Sequence, residues 1–165
     1  MHPDPQLLLA TAEALYTNSA NETAMRRVVS TAYYAVFHHM LRAAADLAIG
    51  SANQGTFRYN LAYCSVEHKR VKTLCSHVRQ RNIHIQPYTP AGGFDEIVRF
   101  AQLVLNLHEE RNLADYHPEP RAGFDDARTQ QAISDAWEAI KQFKAATDEQ
   151  REVFLTLLLF EPRKP

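Results

Sequence analysis

The sequence predicts an all-α fold: an antiparallel helical bundle of four core helices plus extra terminal helices, built as one domain over residues 1–165. Three observations predict it. Apolar residues recur every three or four positions through long stretches, which is the helical period. Only 5 glycines interrupt 165 residues, and most prolines lie near the termini or between the periodic stretches. Capping residues stand at the edges of those stretches. With 45% hydrophobic and 22% charged residues, a chain of this length buries a core without metal or disulfide staples.

The elements follow in order. Asp4 before Pro5 is an N-cap with proline at the first helical position, so a helix is expected to about residue 16. Asn21 caps a second helix and Gly50 ends it, giving roughly 28 residues and about 40 Å. Residues 51–63 carry Gly, Asn, Gln and Ser and read as a loop. Ser65 opens a third helix that ends near Ile85. Residues 86–93, with two prolines and two glycines, form the clearest break. A fourth helix spans 94–116 and is stopped by Pro118 and Pro120. A fifth runs over about 125–146, and Thr147-Asp148 caps a last short helix to Phe160. No repeat or low-complexity tract divides the chain.

Charge and cysteine content narrow the function classes. With 18 basic and 19 acidic side chains, the chain lacks the basic excess of a general nucleic-acid coat, so any RNA contact must come from a local cleft. Cys64 and Cys75, read as neighbours of one helical segment, would lie about 16 Å apart, too far for a disulfide. Reduced thiols and a cytoplasmic location are therefore expected. Residues 1–5 lack a basic stretch followed by an apolar run, so no secretory leader is expected. The apolar stretch 153–160 is too short to span a membrane. That stretch is either a helix closing the core or an interface. The absence of a Glu-x-x-His pair argues against a di-iron bundle. Cys64 and His68 share a face, but Cys75 is distant and His77 points elsewhere, so neither a metal nor another cofactor is expected. No Gly-rich phosphate loop or Gly-x-Ser-x-Gly elbow is present.

Two helical faces break the apolar pattern. On the second helix, Arg27, Thr31, Tyr34, His38 and Arg42 form a polar stripe beside a wide core-facing surface. It reads either as a solvated face or as the wall of a cleft. On the fourth helix, the apolar stripe Ile97, Val98, Ala101, Val104 and Leu105 continues into His108, Arg111, Asn112 and Asp115. A buried charge needs a partner. This end is either an internal Arg111–Asp115 pair at i,i+4 spacing or a shared polar pocket at the end of the bundle. Arg79 and His84 have four residues between them and are expected to be surface residues.

Arg111 is followed by Asn112, and His117 closes the segment with five residues between Arg and His. The run Arg111-Asn112-x-Ala114-Asp115-Tyr116 and the earlier run Ser30-x-Ala32-Tyr33-Tyr34-Ala35-x-Phe37-His38 resemble, in order and spacing, two signatures of a prokaryotic subfamily of the HEPN superfamily. Together they cover roughly residues 21–117. The resemblance implies a HEPN-like bundle and a metal-independent endoribonuclease of toxin or defence type. It also implies a homodimer with two motifs facing across its axis, and a possible antitoxin or nucleotidyltransferase-like partner. In that chemistry Arg111 holds the scissile phosphate and His117 acts as base or acid. Asn112, Asp115 and Tyr116 support them, and Tyr34 and His38 contact substrate or the catalytic groups. The alternative is a non-catalytic HEPN module that binds RNA, a nucleotide or a partner protein. A plain structural bundle with a solvated ion-pair network at one end is the third reading.

Overall fold

The computed structural model describes residues 2–18, 21–117 and 123–162. Within them the chain forms α1 (Pro5–Thr17), α2 (Glu22–Ile49), α3 (Phe57–Cys64), α4 (His68–Gln80), α5 (Asp95–Tyr116), α6 (Asp126–Ala145) and α7 (Asp148–Leu159), with two short 3-10 turns and no strand.

Local chemistry sets most of these boundaries. The Asp4 carboxylate accepts from the backbone of Gln6 and Leu7, and the Asn21 side chain accepts from Ala24. Gly50 ends α2 at φ 91°, a conformation that costs an L side chain dearly. Thr147 and Gln150 form a reciprocal capping box at the start of α7. Pro118 and Pro120 lie outside the described residues.

Long-range contacts show the directions. Asp4, before α1, pairs with Arg42 near the end of α2. Tyr16 and Glu13 of α1 meet Asp126 and Trp137 of α6. Arg26 near the start of α2 reaches the last turn of α5. Glu110 late in α5 pairs with Arg128 early in α6. Each of these neighbours therefore runs antiparallel to the next. The helices α1, α2, α5 and α6 surround one core, α4 packs on the outside of α5, and α3 and α7 cover α2. Helix α2 supplies the central wall, with Val28, Val29, Ala32, Val36 and Met40 fully buried.

Residues 51–63 are not a loop throughout: α3 occupies 57–64. Its signal is short, a Thr56 hydroxyl accepting from the Tyr59 backbone, and its stability is tertiary. Tyr59 and Tyr63, four residues apart, bury one face against α2. The next helix is correspondingly shorter than expected. Ser65 is the C-cap of α3 rather than an N-cap, α4 begins at His68, and Arg81 in the left-handed conformation (φ 50°) ends it. Cys64 and Cys75 thus belong to different helices, the first exposed and the second buried, and both are free thiols.

The 153–160 stretch closes the core: Phe154, Leu155, Leu157 and Leu158 are buried, and Thr156 and Phe160 are exposed. No helix among the described residues is long and apolar enough to cross a membrane.

Candidate functional site

The last two turns of α5 carry the polar residues into the interior. His108, Arg111 and Ala114 face inward, and Asp115 lies one turn beyond Arg111. Arg26 holds this end in place. Its guanidinium donates to the carbonyls of Leu113 (3.3 Å), Ala114 (3.2 Å) and His117 (2.7 Å). The Leu113 carbonyl also accepts from the His117 backbone N–H, whereas Ala114 belongs to the last turn, whose carbonyls a helix end leaves without intrahelical partners. The same side chain pairs with Glu22 at 3.0 Å and lies 5.0 Å from the Phe124 ring. Arg26→Ala is expected to cost about 1–2 kcal/mol, because one change removes the Arg26 donor from the Ala114 and His117 carbonyls and a second donor from Leu113. Urea unfolding measures it, and hydrogen exchange should show faster opening confined to the last turn of α5.

Arg111 is the centre of the site. Its side chain is only 10% exposed. Nη2 donates to the hydroxyls of Tyr34 (2.8 Å) and Tyr116 (3.3 Å), and Nη1 donates to Asn112 Oδ1 (3.2 Å). Nε lies 2.7 Å from Asp115 Oδ2. That approach is off the N–H direction, so it is an ionic contact without a hydrogen bond. Nε is the single buried side-chain polar atom without a hydrogen-bond partner among the described residues. Asp115 accepts a short hydrogen bond from Ser30. The rings of Tyr33, Tyr34 and Tyr116 stand 5.9, 5.4 and 5.1 Å from the guanidinium carbon. Burial disfavours the Arg111 charge, but the Tyr34 hydroxyl and the Asp115 carboxylate outweigh it, and the proton is held more tightly than usual. The group stays cationic at every relevant pH.

Around the guanidinium, α2 and α4 supply neutral rings. The Tyr33 hydroxyl is 2.8 Å from His68 Nδ1, and His38 Nδ1 is 2.6 Å from the Tyr63 hydroxyl. Asn112 Nδ2 lies 3.2 Å from His108 Nδ1. Burial lowers the affinity of His68 for a proton, and the charge of Arg111 and the neighbouring His108 and His38 lower it further, against Asp115. Burial also lowers that of His38. Burial pushes the Tyr33 phenol up, so it stays protonated.

The structure therefore joins Tyr34, Arg111, Asn112, Asp115 and Tyr116 into one network, and both sequence readings of this end hold together: the i,i+4 ion pair is there, and it is shared with α2. His38 stands one ring away, stacked on Tyr34 at 6.1 Å. His117 is the exposed C-cap of α5. Its backbone carbonyl is bound by Arg26, while its ring has no hydrogen bond to the described residues. Arg79 and His84 lie on the surface.

An open cleft of about 420 Å³ runs along this network, lined by Arg26, Arg27, Tyr34, Arg111, Asp115 and Tyr116. The polar stripe of α2 is thus partly a cleft wall: Arg27 is exposed, and Tyr34 is half-buried behind it. The cleft combines three arginines with one carboxylate and two phenols, a set that suits a phosphate oxygen more than a cation. Among the described residues, no group of three His, Cys, Asp or Glu side chains is placed to hold a metal ion. Compared with known proteins, the chain matches no family model, no curated protein and no solved structure.

Sequence reasoning passed over Ser30 and His68 as members of the site, and set His108 on the polar end of the fourth helix without giving it a role. Ser30 had a signal, since it lies four residues before Tyr34 on the same face of α2. His108 had one too, because it lies on the Arg111 stripe. His68 had none: it arrives from α4, whose start depends on tertiary packing.

Proposed function

We propose that the chain is a metal-independent endoribonuclease of toxin or defence type, in which Arg111 binds the scissile phosphate and His117 transfers the proton. One observation carries the reading. A nine-tenths-buried guanidinium, held by Tyr34, Asn112 and Tyr116, borders an arginine-rich cleft with its Nε in ionic contact with Asp115 but in no hydrogen bond. An orphaned buried donor is costly unless a ligand or water completes it. A phosphate oxygen arriving in the cleft would displace Asp115 and satisfy it.

Cleavage without metal needs a base for the 2′-hydroxyl and an acid for the leaving oxygen. One exposed imidazole is sparse for both tasks. A twofold dimer placing two α5 ends together would supply a second His117 and a second Arg111. That homodimer, the RNA substrate and a neutralising partner, nucleotidyltransferase-like or otherwise, are parts of this proposal. It rests on the HEPN resemblance as well as on the cleft.

The second reading is a non-catalytic module that binds RNA, a nucleotide or a partner protein. It is favoured by a specific observation: Asp115 already matches the Arg111 charge, and the His117 ring stands apart from it. The two readings separate in one assay. Purified protein is incubated with labelled single-stranded and structured RNAs in EDTA, beside His117→Ala. Catalysis predicts cleavage by the wild type and a loss of about 10²–10⁴-fold in the variant, with light scattering reporting two chains per particle. RNA retarded on a gel but left intact by both proteins supports the binding module and sinks the nuclease.

A further inference from the structure

His108 has no task in the chemistry proposed above, yet it is wired to Arg111. It lies three residues before Arg111 and four before Asn112, so the three share one face of α5. The ring is buried, and Tyr33 meets it edge-on at 5.7 Å. Asn112 is the link, with Oδ1 3.2 Å from Arg111 Nη1 and Nδ2 3.2 Å from His108 Nδ1.

The donor inventory fixes the direction of this chain. A guanidinium has only N–H groups, so the Asn112 end that faces it must be the carbonyl oxygen. The NH₂ end is then left for His108. An amide NH₂ only donates, so Nδ1 must be a bare acceptor and the ring proton must sit on Nε2. An imidazolium would set N–H against N–H and break the link. Because Arg111 never deprotonates, the sequence Arg111 to Asn112 to His108 cannot run the other way.

We propose that His108 is a positioning residue, whose neutral Nε2–H form anchors the Asn112 amide and thereby sets the Arg111 fork toward the cleft. The proposal rests on Arg111 being the phosphate-binding group. The groups facing His108 are Glu109 and Arg111 on its own helix, Lys72 and His68 from α4, and Tyr33 from α2. Burial, then Lys72 and Arg111, push its protonation below the ordinary imidazole range, against Glu109. At neutral pH the ring is therefore neutral and the link is intact. As pH falls through that lowered value, the imidazolium forms and releases the amide.

Two measurements test this. Nitrogen-15 NMR of the His108 imidazole in the intact wild-type protein is expected to show the proton on Nε2 at neutral pH. A spectrum with the proton on Nδ1 overturns the proposal whatever the function. The second measurement is binding of a 2′-O-methyl oligoribonucleotide, which carries the phosphates but no nucleophilic 2′-hydroxyl. His108→Gln retains a side-chain acceptor. It is expected to bind within about twofold of wild type and to lose the acid-side fall in affinity. His108→Phe keeps the burial but not the acceptor, and is expected to bind about tenfold more weakly. Wild-type affinity in His108→Phe, beside a clear loss in Arg111→Ala, would overturn the positioning role. No loss in Arg111→Ala would remove the phosphate reading itself, and with it this role.

Discussion

Arg111→Ala is expected to lower RNA cleavage by about 10³-fold, because the change removes the fixed positive charge aimed at the phosphate where negative charge builds up. The same change costs stability. Tyr34, Tyr116 and Asn112 each lose a hydrogen-bond donor, and Asp115 is left with its Ser30 contact but no cation. A fully buried pair broken on one side would cost about 3–5 kcal/mol. The Asp115 side chain is 27% exposed and water partly solvates it, so about 2 kcal/mol is expected here. Arg111→Lys separates the two effects. It keeps the charge, but a single ammonium cannot reach Tyr34, Tyr116 and Asn112 together, so folding should suffer less than cleavage. Cleavage rates on a labelled RNA, beside urea titrations of each variant, give both numbers. Turnover within a few-fold of wild type in Arg111→Ala, well below its unfolding transition, would remove Arg111 from the chemistry.

What could be read in the sequence follows the range of the interactions involved. The ends of α2 were legible because Asn21 and Gly50 act on their own backbone. The start of α7 was legible for the same reason, since Thr147 caps its own backbone. The Arg111–Asp115 pair was legible because i,i+4 geometry is a property of one helix. The stripe on α2 left Tyr34 as either a solvated face or a cleft wall, and only the resemblance set it beside Arg111, which its hydroxyl meets. Helix α3 was missed because only burial of Tyr59 and Tyr63 on α2 makes its few turns stable. The end of α4 was overrun because Arg81 takes a left-handed conformation usual for Gly or Asn. His68 was missed because it reaches Tyr33 from another helix, 35 residues away in sequence. The fold class therefore came from local signals, and the His68 neighbour came only from packing.

The polar end of the bundle is tolerable because its charge is paired. A bundle core that admits Arg111 must neutralise it and satisfy its donors. Asp115 does the first, and Tyr34, Asn112 and Tyr116 do most of the second. Burial lowers the proton affinity of His38, His68 and His108, and the Arg111 charge adds to it for His68 and His108. In the guanidinium, Nε alone makes no hydrogen bond, and it stands 2.7 Å from Asp115 Oδ2.

Phe154→Ala is expected to have the largest effect on stability alone, about 3–5 kcal/mol. Phe154 is fully buried. Its ring meets Phe100 edge-on at 5.7 Å and Phe143 at 6.3 Å, and those two rings are 5.0 Å apart. Truncation removes the aromatic contacts and leaves a cavity that three helices, α5, α6 and α7, cannot close without moving. The site should be spared. Phe100 stands about 16 Å along α5 from Arg111, so RNA binding below the unfolding transition should match wild type. Thermal and urea unfolding of the variant provide the check, with light scattering alongside. A loss under about 1 kcal/mol, accompanied by a change in the number of chains per particle, would move α7 from the core to an interface. A large loss with unchanged particle size would leave α7 where the buried Phe154 and Leu158 place it, and would free the α5 end to be judged by its own chemistry.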